Sequence, residues 1–385
     1  MAERVVITGL GIVSSLGCDP GVFWSNLTKG KSGISKIASF DTSSFECHYG
    51  GEVKEFTPFK FSPPGKRKVV PRSHGFALSA SLSALKESGV KSYKEIGVAL
   101  SSIAGGMEFV EGKSGDFNDY PVYMSTANIH SLLGLGGAAF TLSSACAGGN
   151  YAISLAYEKI SKGEEKIMLA GGVDYFSEGV FWGFCRLFSV APFKCQPFDK
   201  NRKGLIPAEG AGMLVLESLS SAKNRKANIY AEVLGYGVSA DAYHPVIPSE
   251  EGFYRCMRDA LDAVDLGIND IDYISAHGTG TPINDRTECQ AIRKLFGKKR
   301  YKEIPVSSIK SMLGHTMGAA SAIEAIACCF TLKYGLIPPT INYENPDPEC
   351  DIDCVPNVAR KQKIRVLLNN SFGFGGMNSS LVLAA

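Results

Sequence analysis

The stretch Thr141-Leu142-Ser143-Ser144-Ala145-Cys146-Ala147-Gly148-Gly149-Asn150 runs directly into Tyr151-Ala152-Ile153-Ser154-Leu155-Ala156. A short strand pattern over 137–142 ends in small polar residues and one cysteine. Small residues then let the backbone turn tightly, and an apolar helical pattern over about 150–161 begins. A cysteine placed there faces unpaired helix N–H groups and the positive end of the helix dipole, which favours a thiolate. Taken alone, Cys146 reads equally as a small buried hydrophobe. The rest of the chain has to supply partners for it.

Three other stretches set reactive side chains in glycine-rich turns after apolar strands. They are Ile274-Ser275-Ala276-His277-Gly278-Thr279-Gly280-Thr281-Pro282-Ile283-Asn284-Asp285, Ser308-Ile309-Lys310-Ser311-Met312-Leu313-Gly314-His315-Thr316-Met317-Gly318, and Asn369-Asn370-Ser371-Phe372-Gly373-Phe374-Gly375-Gly376-Met377-Asn378. Singly, His277 could cap a strand end, His315 could cap the following helix or its loop, and Lys310 could equally be a surface lysine reaching from a strand end. Jointly those readings weaken, because the chain has only six histidines and places two of them in such turns.

A length of 385 residues holds two ordinary domains or one large double unit. The formal charge of +2, from 40 basic and 38 acidic side chains, gives no global attraction to nucleic acid, and no nucleic-acid partner is expected. The 11 cysteines are scattered without a Cys-x-x-Cys unit, which reads as reduced thiols in a cytoplasmic protein. Cys350 and Cys354 flank an acidic segment, but no second ligand pair follows, so no metal site is expected. The start, Met1 to Ile7, is a strand pattern and not a secretory signal, and no run reaches the ~18 apolar residues of a membrane span. Gly9-Leu10-Gly11-Ile12-Val13-Ser14-Ser15-Leu16-Gly17 resembles a dinucleotide loop. It lacks the third glycine and the later acidic residue, and is read as a glycine-lined strand end.

Periodicity predicts helices near 20–30, 73–88, 122–134, 250–264, 286–296 and 318–334. It predicts strands near 4–10, 96–102, 166–173, 211–217, 230–237, 271–276, 304–309, 364–369 and 378–383. The polar segment Lys223 to Asn228 is the best internal boundary. It divides the chain into 1–222, with the cysteine, and 223–385, with both histidines and the lysine, as two similar α/β halves.

These motifs together resemble the elongating β-ketoacyl-acyl carrier protein synthases, condensing enzymes of the thiolase-like superfamily, over nearly the whole chain. The resemblance implies a five-layered α-β-α-β-α fold built from two related halves. By position it makes Cys146 the acyl-accepting nucleophile, His277 and His315 the paired histidines, and Lys310 the lysine that supports them. It places the backbone N–H groups of Cys146 and Phe374 in an oxyanion hole. Phe372, Phe374, Gly375 and Gly376, with Leu205, then gate or line the acyl pocket, and Glu209 is a buried structural partner near Lys310. His244 is positional. The implied reaction is decarboxylative condensation of a Cys-bound acyl group with malonyl-acyl carrier protein, in fatty-acid or specialised polyketide and lipid biosynthesis. It needs no cofactor beyond the carrier's own phosphopantetheine. The alternatives are acyl transfer or malonyl decarboxylation without condensation, or a structural partner subunit. The implied partners are an acyl carrier protein, met by Lys66, Arg67 and Lys68, and a second subunit. That subunit is a copy of this chain or a ketosynthase-like paralogue.

The chain departs from its relatives at Leu205, where an aromatic is usual, and at Gly280, where serine is frequent. It is also shorter between Gly105 and Cys146, a region expected to floor the acyl tunnel. Trp182, Phe184 and Phe188 are expected to shape the entrance.

Overall fold

The computed structural model describes residues 3–54, 56, 70–113 and 117–385. Lys66, Arg67 and Lys68 lie outside the described residues. Ten strands form one continuous sheet: β1 Val5–Ser14, β2 Ile96–Ser101, β3 Ala139–Leu142, β4 Ile167–Asp174, β5 Gly210–Ser218, β6 Ala231–Ala240, β7 Tyr273–Ser275, β8 Val306–Ser307, β9 Val366–Gly373 and β10 Met377–Ala384. Their spatial order is β8-β7-β9-β10-β6-β1-β5-β4-β2-β3. The centre is a narrow seam, where β1 pairs with β6 through Val5↔Val233, Val6↔Glu232 and Ile7↔Ala231.

On either side of that seam the same pattern occurs twice. Outward from β1, the order β1-β5-β4-β2-β3 runs antiparallel, antiparallel, parallel, parallel. Outward from β6, the order β6-β10-β9-β7-β8 repeats those four relations in the same sequence. Parallel neighbours need a crossover, and helices provide it.

Among the described residues, eight helices of nine or more residues cover the strands: α1 Pro20–Thr28, α2 Arg72–Ser88, α3 Tyr123–Leu133, α4 Gly148–Ser161, α5 Glu178–Arg186, α6 Glu250–Asp262, α7 Pro282–Glu303 and α8 Ala320–Tyr334. α4 and α8 lie against each other between the two half-sheets, α2 covers the outer face of the first half and α6, backed by α7, that of the second. The result is the five-layered thiolase-like arrangement. α8 is buried from Ala320 through Leu332, as a helix enclosed between two sheets must be. No helix among the described residues is long and apolar enough to cross a membrane.

Several local expectations change. The glycines near the N-terminus lie inside β1, not at its end. A Cβ on Gly9 or Gly11 would overlap the carbonyl oxygens of Ala84 and Ala80, so their bareness lets α2 rest on the strand. This explains the pattern without a nucleotide. α5 was not foreseen, because its nine residues are shorter than the window over which helical periodicity can be read. Its N-terminus is capped by the Ser177 hydroxyl, which accepts the Val180 N–H at 3.2 Å.

Candidate active site

Cys146 sits in a tight turn of residues 145–147 between β3 and α4, entered through Ala145 at φ 47°. Its carbonyl accepts hydroxyl hydrogen bonds from Ser371 of β9 at 2.9 Å and from Ser321 of α8 at 3.2 Å. The nucleophile's backbone is thus tied to both elements that bring in the second half of the chain.

His277 leaves the end of β7. Its backbone N–H and that of Gly278 donate to the Glu288 carboxylate of α7 at 2.9 and 2.8 Å. His315 precedes α8, and its Nδ1 accepts the Met317 N–H at 3.0 Å. A neutral ring used that way carries its proton on Nε2. The two rings meet edge to face with centroids 5.4 Å apart. Ligand atoms of Cys146, His277 and His315 all lie within 4.8 Å of one another, and all three residues are buried.

Lys310 is buried and ion-paired with Glu324 of α8. This corrects the expected partner. Glu209 instead accepts Val53 N–H at 2.9 Å, Phe176 N–H at 3.3 Å and the Arg72 guanidinium at 2.7 Å. It ties the start of β5 to the segment before α2, and these partners do not include Lys310. Glu324 was overlooked, although it is the only acidic residue in the apolar run of α8, and such a charge requires a buried partner. Glu288 was also missed, and its signal is weaker because α7 is charged along its length.

Burial and the Lys310 ammonium hold both imidazoles well below the ordinary histidine range, and for His277 the neighbouring His315 adds to this. Both rings are therefore neutral donors at physiological pH. The thiol behaves differently from expectation. Burial pushes Cys146 up to about 12, against the smaller downward pulls of Lys310 and the Phe374 N–H; Asp174 and Glu324 push upward with burial. The turn does not by itself make a resting thiolate, because desolvation of the charge outweighs the donors facing it.

A pH prediction follows from these signs. Protonating either imidazole removes a neutral donor arrangement, and both resist protonation until well below pH 6.5. The acid limb of kcat is therefore expected below that value. Lys310→Met removes the repelling ammonium and is expected to move the limb upward, as read from kcat between pH 4.5 and 8. A limb that stays in place would remove Lys310 from the electrostatic account.

A cavity of about 300 Å³ opens onto Cys146, His277 and His315, walled by Leu205, Phe253, Phe372 and Phe374 among others. Phe372 is a fixed wall, stacked on Phe253 at 3.7 Å between centroids. Phe374 is 37% exposed, and its ring meets Phe184 at 6.2 Å. Gly375 and Gly376 follow at φ 77° and 73°, backbone that side chains rarely adopt. Gly375 N–H donates to Pro245 O at 2.8 Å, and Asp241 N–H to Gly376 O at 3.0 Å. The Phe374 N–H is directed at the Cys146 sulfur.

Phe184 and Phe188 line this cavity, but Trp182 does not; it lines a separate surface cavity with Cys47 and Cys185. No described residue of 105–140 reaches the Cys146 cavity, so the shortened region does not floor it within this chain. His244 lines the mouth, and its Nδ1 accepts the Val246 and Ile247 N–H groups at 3.0 Å each, a positional arrangement.

Residues 2–222 match the family Beta-ketoacyl synthase, N-terminal domain, and residues 230–344 match Beta-ketoacyl synthase, C-terminal domain. The chain is 39% identical over 404 residues to Nodulation protein E of Rhizobium sp. (strain N33), covering 99% of each. It is also 39% identical over 408 residues to 3-oxoacyl-[acyl-carrier-protein] synthase 2 of Coxiella burnetii (strain RSA 493 / Nine Mile phase I), covering 99% of this chain and 98% of that one. Among solved structures, the ishigamide ketosynthase/chain length factor superposes with a TM-score of 0.94 at 37% identity, covering 100% of both chains.

Proposed function

This chain belongs to the β-ketoacyl synthase family of thiolase-fold condensing enzymes, and on that premise we propose how its residues divide the work of condensing acyl-carrier-bound substrates. The carrying observation is the convergence of Cys146, His277 and His315 within 4.8 Å, beside a buried Lys310–Glu324 pair.

Cys146 is the acyl acceptor. Its thiol proton leaves as the sulfur attacks the incoming acyl thioester, and the carrier's thiol departs with a proton. An adjacent imidazole gives that proton a route, which a thiol raised to about 12 requires. The backbone N–H groups of Cys146 and Phe374 hold the tetrahedral oxyanion. In the second half-reaction the malonyl carboxylate leaves as carbon dioxide, and negative charge develops on the malonyl thioester oxygen. The neutral imidazoles of His277 and His315 donate to that oxygen, each worth ~3 kcal/mol by analogy with a lost oxyanion donor. The resulting carbon nucleophile attacks the Cys146 acyl carbon, and collapse breaks the carbon–sulfur bond to give a β-ketoacyl carrier and the Cys146 thiolate, which takes up a proton from solvent. Lys310, ion-paired with Glu324, keeps the histidines unprotonated through its ammonium charge and does not itself touch substrate. We assign residues 1–222 to delivery of the nucleophile and 223–385 to the decarboxylating groups.

Intact-mass measurement after incubation with a panel of acyl carrier proteins tests this. One acyl adduct is expected on the wild type and none on Cys146→Ala. Malonyl carrier should discharge the adduct with carbon dioxide release and yield a β-keto thioester. Discharge without that product would support acyl transfer or decarboxylation alone. An unreactive wild type across the panel would sink the catalytic reading and leave the structural-subunit one.

Leu205 is buried in the cavity wall, and a side chain smaller than the aromatic of relatives leaves room beside the thiol. Leu205→Phe is therefore expected to shorten the longest acyl adduct in the same mass experiment. An unchanged distribution would place chain selection elsewhere. That room beside the thiol supports a specialised chain over a housekeeping one; the likenesses to Nodulation protein E and to 3-oxoacyl-[acyl-carrier-protein] synthase 2, 39% in each case, do not separate the two.

For the second subunit, β3 supplies support. Among the described residues its outer edge pairs with nothing, and Ala139 and Thr141 are exposed along it. The equivalent edge of β8 is covered, with Val306 N–H donating to Asp353 O at 2.8 Å. An uncovered edge strand invites another chain. We assign it to a second copy of this chain; a monomer in sedimentation, restored to a dimer by a ketosynthase-like paralogue, would replace that assignment.

A further inference from the structure

The internal symmetry carries one consequence beyond the reaction. In the first half, β3 leads through Ala145 (φ 47°) to Cys146 and Ala147, and then into α4. In the second, the chain after β8 passes through Met317 (φ 54°) to Gly318 and Ala319, and then into α8. The two turns are the same device, and Gly318 occupies the position of Cys146. Each turn presents its N–H to the end of a strand from the opposite half. Facing Cys146 is Gly373, the last residue of β9; facing Gly318 is Asp174, the last residue of β4. Those strands are equivalent in the two half-sheets.

The two strand ends differ in one respect. A Cβ built on Gly373 would stand 3.2 Å from the Cys146 nitrogen, so glycine leaves the space before that N–H open. Asp174 fills the corresponding space. Its Oδ2 accepts the Gly318 N–H at 2.6 Å, while Oδ1 accepts the Ser102 hydroxyl at 3.0 Å and the Ile103 and Ala104 N–H groups at 2.9 Å each. The carboxylate is fully buried and, among the described residues, has no cationic partner within ion-pair distance; four donors hold it. Converging N–H groups of this kind hold anions.

We propose that Asp174 is a positioning residue for the His315 side of the site, acting as the permanent occupant of an anion-holding turn whose symmetry mate at Cys146 is left open for the reacting oxyanion. The link to His315 is short. Gly318 is held by Asp174, and the preceding Met317 donates its N–H to His315 Nδ1, which fixes both the ring and its tautomer. The proposal rests on the reading of His315 as an N–H donor in decarboxylation. It also separates the half-reactions. The Asp174 charge raises the Cys146 thiol, so its removal does not hinder acylation.

Asp174→Gly copies Gly373 and opens a hole of carboxylate size. Steady-state malonyl-carrier decarboxylation is expected to lose about 100-fold in kcat, the scale of a misplaced donor, with KM within about threefold and Cys146 acylation retained by intact mass. Added formate, a free carboxylate of the right size, should restore at least about tenfold of the loss in a saturable way, whereas butyrate should not. A kcat within about threefold of wild type overturns the proposal, as does an unrescued loss in a variant whose circular dichroism and Tm match wild type. If Asp174→Gly does not fold, Asp174→Asn decides, since it keeps the volume while setting amide hydrogens against backbone N–H groups. A kcat-specific loss supports the positioning role and an unchanged kcat removes it. Wild-type turnover in the same assay separates failure of this proposal from failure of the condensation reading.

Discussion

Gly373→Ala is expected to lower acylation of Cys146 and overall condensation by about 10²- to 10³-fold while leaving the fold intact, the cost of losing an oxyanion donor. Gly373 has φ −103° and ψ 157°, extended backbone that alanine adopts without strain. The effect is therefore steric and local. The added methyl would lie 2.9 Å from the Ala145 Cβ, 3.1 Å from Met377 O and 3.2 Å from the Cys146 nitrogen. Relieving those contacts has to move either the nucleophile's turn or the strand that carries the Phe374 N–H. Both motions spoil the pair of donors. Rapid-quench acylation with acyl carrier, alongside a thermal melt, measures this. Wild-type acylation rates in a natively folded Gly373→Ala protein would show that the hole lies elsewhere.

His315→Ala is expected to cost about 10²-fold or more in malonyl decarboxylation, the ~3 kcal/mol assigned to one donor aimed at developing charge. His277→Ala should cost a similar amount. The acyl adduct on Cys146 should still form in each single variant, since backbone N–H groups hold the oxyanion of that step and the remaining imidazole can take the thiol proton. The two losses are not expected to add, because the rings contact each other and donate to one oxygen. Carbon dioxide release from malonyl carrier, set beside intact mass of the acyl-enzyme, resolves the half-reactions. Equal loss of acylation and decarboxylation in one variant would instead make that histidine the sole proton acceptor for Cys146 in the first step. His277 is also held through its backbone by Glu288, so the alanine side chain leaves that anchor in place.

Much of the architecture was legible from local pattern. Helices near 73–88, 122–134 and 318–334 and strands near 96–102 and 166–173 are observed as α2, α3, α8, β2 and β4 with shifts of one or two residues at their ends. Their apolar spacing is set by burial on one face, which periodicity reports directly. α5 escaped because nine residues are too few for periodicity to report, and β1 was ended early because glycines bared for helix packing inside the strand resemble a strand end. The repeated strand order was faint in sequence, since a shared topology constrains hydrogen-bond geometry much more than residue identity.

The active-site residues were legible for a different reason. Cys146, His277, Lys310 and His315 are chemically distinctive and lie in short turns, so their presence and order could be read from the chain by itself. Four further facts needed the tertiary structure: that Lys310 pairs with Glu324 and not Glu209, that burial pushes the Cys146 thiol up, that Trp182 lines a separate cavity, and that Asp174 fills the turn equivalent to the one at Cys146. Ion pairing between buried groups depends on which elements meet across the seam, and a thiol's charge depends on how much water the assembled halves exclude. Neither quantity is local. The sequence alone determined which groups the site contains and the order in which they occur; the packing of two half-sheets around α4 and α8 decided their charges, their partners and the space left for substrate.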